Sequence, residues 1–197
     1  MENSFNPAER IRESSEINPV DANVSEFNPD IRIPNNIERA YYDDKGQLYR
    51  IGNEVAANKE IERNGYLFKT DEKGRTISVE GKLQLRDHEG RNPMEDTRDT
   101  VGYGQMKSSD DRGHLIGDQF NGSSDLLNLV PMDSTLNKGD YKKLENTLAD
   151  ALKDGADVRV KIEPVYEDDS HRPRKINFSY SIDDEKEVVM FKNGGME

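Results

Sequence analysis

The 197-residue sequence contains no cysteine and no tryptophan. The first absence excludes disulfides, cysteine nucleophiles and thiolate metal sites, so any metal must be held by oxygen or imidazole ligands. No apolar stretch approaches the ~20 residues that a membrane span needs. The N-terminal residues lack both the basic start and the apolar centre of a signal peptide. The expectation is therefore a soluble chain with no cleavable export signal and no membrane partner. Apolar residues are scarce, at 32% against 35% charged with a mean hydropathy of -1.00, so they must be concentrated in part of the chain if it is to fold. Positive charge is scarce as well: 28 Lys and Arg against 40 Asp and Glu leave a net charge of -12. That balance runs against phosphate-backbone binding, unless a bound cation and a local basic cluster offset it.

The length suits one domain plus a tail. Residues 1–36 carry Asn-Pro pairs at Asn6-Pro7, Asn18-Pro19 and Asn28-Pro29 and no sustained apolar period, which reads as a flexible linker. Residues 37–197 hold the patterned segments. Gln47–Ile51 reads as a short strand and Glu54–Arg63 as a helix. Gly65–Thr70 and Arg75–Leu85 read as a hairpin about the Asp71-Glu72-Lys73-Gly74 turn, with Ile77, Val79, Gly81, Leu83 and Leu85 on one face. Residues 86–110 are polar and irregular, with Gly102 and Gly104 as loop glycines. Arg112–Phe120 and Leu126–Met132 are expected strands. Gly139–Lys153 is the best helix, with Tyr141, Leu144, Leu148, Ala151 and Leu152 as its apolar stripe and Gly155 as its stop. Period two then returns through Val158–Ile162, Ile176–Ile182 and Glu187–Lys192, predicting an antiparallel sheet beside the helix.

Three patches carry chemistry: Asp111-Arg112-Gly113-His114, Asn128-Leu129-Val130-Pro131-Met132, and Leu136-Asn137-Lys138-Gly139 running on to Glu145. Hydrolysis of a phosphodiester needs a base for water, a cation at the phosphoryl oxygens and cationic side chains against the developing charge. His114, with an ordinary pKa of about 6.5, is the general-base candidate. Arg112 lies two residues earlier on an expected strand, so it shares the face of His114 and can fork onto the same phosphate. Asn137 offers a neutral oxygen to a hard ion that needs only one or two protein ligands. Glu145 lies two turns further along if the helix starts at Asn137. Arg91, Arg98, Lys107, Lys138, Lys142 and Lys143 are candidates for a basic rim, with Arg98 and Lys138 as phosphate contacts. His88 and His171 lack such context and read as surface residues.

The ordered spacing of His114, Asn128, Asn137 and Glu145 resembles the DNA/RNA non-specific endonuclease family of the ββα-metal, or His-Me finger, class, over roughly residues 98–192. The resemblance implies an α+β fold with a ββα-metal element at about residues 112–153. It implies a metal-dependent endonuclease that leaves 5′-phosphate products from double-stranded DNA, with RNA as an alternative substrate. The same resemblance implies one Mg²⁺, or Mn²⁺ in its place, held at Asn137. His114, Arg112, Glu145 and Asn128 are then the catalytic set, with Arg98, Arg112 and Lys138 on the substrate. Forms of the family serve as toxic tips of secreted bacterial effectors, which implies delivery into a target cell and a cognate immunity protein in the producer.

Overall fold

The computed structural model describes residues 40–87, 90, 94, 96 and 98–194. The linker expected over residues 1–36 lies outside the described residues, as do His88 and Arg91. The elements run β1 (Ala40–Tyr42), β2 (Leu48–Ile51), β3 (Glu54–Val55), β4 (Glu60–Arg63), β5 (Tyr66–Thr70), β6 (Thr76–Lys82), β7 (Asp110–His114), β8 (Leu129–Asp133), α1 (Ser134–Lys138), α2 (Asp140–Lys153), β9 (Val158–Val165), β10 (Lys175–Ile182) and β11 (Glu185–Lys192). The strands form a small sheet β1-β2-β3, a six-stranded sheet β11-β10-β9-β6-β5-β4 and the isolated pair β7-β8. Every strand pairing is antiparallel, as the period-two segments predict.

Turn chemistry sets much of this order. Asp43 Oδ1 accepts from the backbone N–H of Lys45 and Gln47, and Asp71 Oδ1 accepts from Lys73 and Arg75, so two Asp-x-Lys-Gly turns close by the same device. Residues Glu54–Arg63 are not a helix. Asn64 and Gly65 both take positive φ, 53° and 78°, and turn β4 back onto β5 with Arg63 opposite Tyr66. An Asn-Gly pair of this geometry favours a hairpin, and the sheet edge outweighs the helical preference of Glu and Arg. In β6 the partners of Lys69 and Thr70 are Ser78 and Thr76, so Ile77 is an extra, bulged residue. Thr76 thereby turns inward and its hydroxyl donates to Leu127 O at 2.7 Å. Of the expected apolar face only Val79 and Leu83 are buried, while Ile77 and Leu85 are exposed.

The expected strand from Arg112 to Phe120 is shorter and earlier: β7 ends at His114, and a 3₁₀ turn at Asp118–Phe120 follows. Likewise β8 begins only at Leu129. Helix α2 lies on the main sheet through Tyr141, whose ring meets Phe178 and Phe191 at 5.6 and 5.2 Å. Leu148 is buried beside it, and Leu144, Ala151 and Leu152 pack against the same core. Each buried side chain of this size is worth about 1.5–3 kcal/mol. Gly155, at φ +90°, ends the helix as expected.

Two polar anchors fix the β7-β8-α1-α2 element to the sheet. Arg172 forks onto Asp110 with bonds of 2.8 and 2.7 Å, and the buried amide of Asn193 donates to Pro131 O and Pro173 O while accepting from Asp133 N. The fold is therefore α+β, as the resemblance implies, with a ββα unit held against a larger antiparallel sheet.

Candidate active site

The ββα unit lines a cleft of about 700 Å³ with Asp111, Arg112, His114, Gly117, Asn137, Lys138, Lys142 and Glu145, and Arg86, Met94, Arg98, Asp118 and Gln119 complete its lining. Strand β7 brings Arg112 and His114 to one side, as alternate residues of a strand must. Between them Gly113 faces β8, where a Cβ would come within 2.5 Å of Met132 Cβ. The motif therefore needs glycine at that position for strand packing.

Helix α1 carries Asn137 and is capped by Asp133, which accepts from Thr135 N and Leu136 N. The chain breaks at Gly139, with φ -101° and ψ -109°, before α2 begins. A Cβ there would sit 2.4 Å from Thr135 O, so the break requires glycine. The helix expected over Gly139–Lys153 is α2, but Asn137 lies on the separate α1, so Asn137 and Glu145 reach one cleft from two helices joined by a corner. Glu145 is buried, and Lys142 Nζ donates to its Oε2 at 3.2 Å.

The Asn137 amide donates Nδ2–H to Asp111 Oδ2 at 3.1 Å, which turns its carbonyl oxygen away from that carboxylate. Lys138 Nζ lies 2.9 Å from the same Asp111 oxygen. Burial tends to raise the Asp111 carboxyl, but the bonds from Lys138 and Asn137 and the charges of Lys138 and Arg98 outweigh it and hold it below the ordinary carboxylate value. His114 Nε2 lies 3.2 Å from the hydroxyl of Ser124, which is itself buried. Arg112 Nη1 donates to Asp96 O, and Arg98 donates to Asp110 O and Lys107 O at 2.6 and 2.8 Å. Among the described residues five cationic side chains face three carboxylates along the cleft, a positive local balance within a chain of net charge -12.

A divalent cation fits this donor set. No group of three or more His, Asp or Glu able to hold a metal occurs among the described residues. A site built on the Asn137 oxygen with water, beside the carboxylates of Asp111 and Glu145, suits Mg²⁺, which keeps most of its waters and needs few protein ligands.

Of the predicted residues, His114, Arg112, Asn137, Glu145, Arg98 and Lys138 converge on the cleft, and Asn128 does not. Its side chain is wholly buried, accepts from Ile116 N and donates to Ile116 O and Ser123 O, all at 2.8–2.9 Å. Asn128 pins the 115–123 loop and is no part of the reacting surface. Of the expected rim, Lys142 also lines the cleft, whereas Lys143 pairs with Asp140 on the outer face of α2. His171 lies against Tyr103 outside the cleft, the rings tilted with centroids 4.3 Å apart, and its pKa is lowered by burial and then by the Arg75 charge. Sequence reasoning missed Ser124, Gly117 and Arg86, and gave Asp111 no role. Only Asp111 had a local signal, its place at the head of the motif.

The profile of the DNA/RNA non-specific endonuclease family matches residues 56–184. The chain belongs to this family. The endonuclease is 34% identical over 136 residues to the type VII secretion system protein EssD of Staphylococcus aureus, a match covering 66% of this chain and 22% of that protein. The chain thus spans about a fifth of the relative's length. Among solved structures it is similar to the nuclease NucA of Streptococcus agalactiae with a magnesium ion bound, at 14% identity and a TM-score of 0.49, over 71% of this chain and 78% of that one. It is also similar to the Sda1 nuclease with a bound zinc ion, at 29% identity and a TM-score of 0.41, over 44% and 39%.

Proposed function

We propose that this endonuclease domain hydrolyses DNA without base preference, with RNA as an alternative substrate, using one divalent cation and His114 as general base. The observation that carries the reading is the convergence of His114, Arg112, Asn137 and Glu145 on one locally positive cleft. His114, its ring oriented by Ser124, takes a proton from the water whose oxygen attacks phosphorus. The new bond forms as the bond to the 3′-oxygen breaks, leaving a 5′-phosphate and a 3′-hydroxyl that takes its proton from solvent. Arg112 stands against the charge that develops on the phosphoryl oxygens, and Arg98, also on the cleft, adds its positive charge. Asn137 would hold the cation and Glu145 would order its waters. When bound, Mg²⁺, or Mn²⁺ in its place, supplies Lewis-acid charge at the non-bridging and leaving oxygens. Because such contacts fall on phosphate, little base preference follows.

The likeness to a secretion-system protein supports the further reading that the domain is the toxic part of a secreted bacterial effector, neutralised in the producer by an immunity protein. No helix among the described residues is long and apolar enough to cross a membrane. The test is cleavage of supercoiled plasmid by purified protein with Mg²⁺, with EDTA and with His114→Ala. Degradation by wild type alone supports the mechanism. Folded protein that is inert with Mg²⁺, Mn²⁺ and Ca²⁺ sinks it. Toxicity on intracellular expression in bacteria, lost with His114→Ala, tests the effector role.

A further inference from the structure

The family match begins at residue 56, so β1, β2 and β3 all lie outside it. Yet two adjacent residues of β2 reach both segments that hold the reacting side chains. Arg50, 2% exposed, forks onto Asp96 with Nη1 to Oδ2 at 2.7 Å and Nη2 to Oδ1 at 2.6 Å. Its Nε donates to Gly52 O at 2.7 Å, and its guanidinium lies 4.1 Å from the centre of the Tyr41 ring. The backbone oxygen of that same Asp96 receives Arg112 Nη1. On the other side of the strand, Tyr49 donates its hydroxyl to Asp125 Oδ2 at 2.6 Å. Asp125 Oδ1 in turn accepts from Leu127 N and Ser123 Oγ, which closes the turn that presents Ser124 to His114.

A buried ion pair is weak evidence for stability, since well-packed apolar residues often do the same work. A bidentate Arg on a carboxylate does add fixed geometry, because its planar fork admits one relative orientation. We propose that β2 is a positioning element of the active site: Arg50, through Asp96, sets the guanidinium of Arg112, and Tyr49, through Asp125 and Ser124, sets the ring of His114. This rests on the roles given above to Arg112 and His114. The small sheet is then a functional addition to the family domain rather than a spacer ahead of it.

The test is a double-mutant cycle on Mg²⁺-dependent cleavage of a short DNA duplex, with folded fraction taken from circular dichroism. Arg50→Lys keeps charge and bulk but lacks the fork. It should lower kcat/KM about ten-fold in the wild-type background and less than about two-fold in Arg112→Ala. The same fold loss in both backgrounds, or no loss in the first, overturns the positioning role. If Arg50→Lys does not fold, Asp96→Asn takes its place in the cycle with the same expected outcome. The Tyr49 arm has a different signature: Tyr49→Phe lowers kcat and leaves KM unchanged, and an unchanged kcat removes that arm. An Arg112→Ala protein as active as wild type would instead strike at the proposed function itself.

Discussion

The Glu145 carboxylate fills the space that a side chain at Gly117 would need: a Cβ there would lie 2.1 Å from Glu145 Oε1. Backbone at Gly117 is extended, with φ -59° and ψ 149°, so the requirement is one of room and not of backbone freedom. Gly117→Ala should therefore push the carboxylate out of place while leaving the backbone undisturbed. The expected result is a fall in kcat of about ten- to a hundred-fold with an unchanged circular dichroism spectrum. Activity within two-fold of wild type would show that the exact seat of Glu145 is immaterial.

Asn128 should report on stability first. Asn128→Ala removes three hydrogen bonds and strands the buried carbonyls of Ile116 and Ser123 together with the Ile116 N–H. A loss of roughly 3 kcal/mol follows, measured by urea unfolding. A loss below about 0.5 kcal/mol would contradict the pinning role.

Acid should loosen the attachment of the ββα unit. Burial works to raise the Asp110 carboxyl, but the Arg172 bonds, the Lys107 backbone N–H and the charges of Arg172 and Lys107 outweigh it and hold it below the ordinary value of 3.8. A carboxyl lowered by folding contributes stability that is complete above its unfolded pKa and is lost as pH falls through the folded one. The contribution should thus be whole at neutral pH and decline below about pH 4. Arg172→Met should cost about 3–5 kcal/mol at pH 7, because it leaves Asp110 buried without its partner, and should weaken the acid dependence. Urea denaturation of both proteins between pH 3 and pH 7 checks this.

Binding should be governed by the cleft and not by net charge. Measured by fluorescence anisotropy in the His114→Ala background, Arg98→Gln should weaken DNA binding equally across sequences and reduce the salt slope by about 1. Lys143→Gln, on a residue paired with Asp140 away from the cleft, should leave the slope unchanged. Equal effects of the two substitutions would argue for diffuse attraction.

How much of this was legible in the sequence depends on chain distance. Arg112, His114, Asn137 and Glu145 lie within one short span of sequence and line one cleft, although the conditional helix arithmetic behind Asn137 and Glu145 missed the corner at Gly139. Asn128 shared that spacing, but an asparagine that caps a loop and one that meets a substrate look alike until burial is known. The Arg50–Asp96 and Tyr49–Asp125 bonds join residues far apart in the chain and leave no local pattern. The period-two strands of the main sheet were legible. Strand β3, with two residues, was too short to show a period, and the bulge at Ile77 moved the buried face within β6.

The residues proposed to carry the chemistry lie in one stretch from Asp111 to Glu145, whereas the bonds that anchor it come from both sides of that stretch. The stretch is compact in sequence, yet its apolar face is completed only by Phe178 and Phe191 of the main sheet, so its geometry depends on that sheet. A recombination event that moved the stretch alone would leave the Tyr141 side of its second helix uncovered and would lose the Arg86 and Arg98 side of the cleft. The piece that could be exchanged between proteins is thus the ββα unit together with the strands beneath its helix, not the motif stretch by itself.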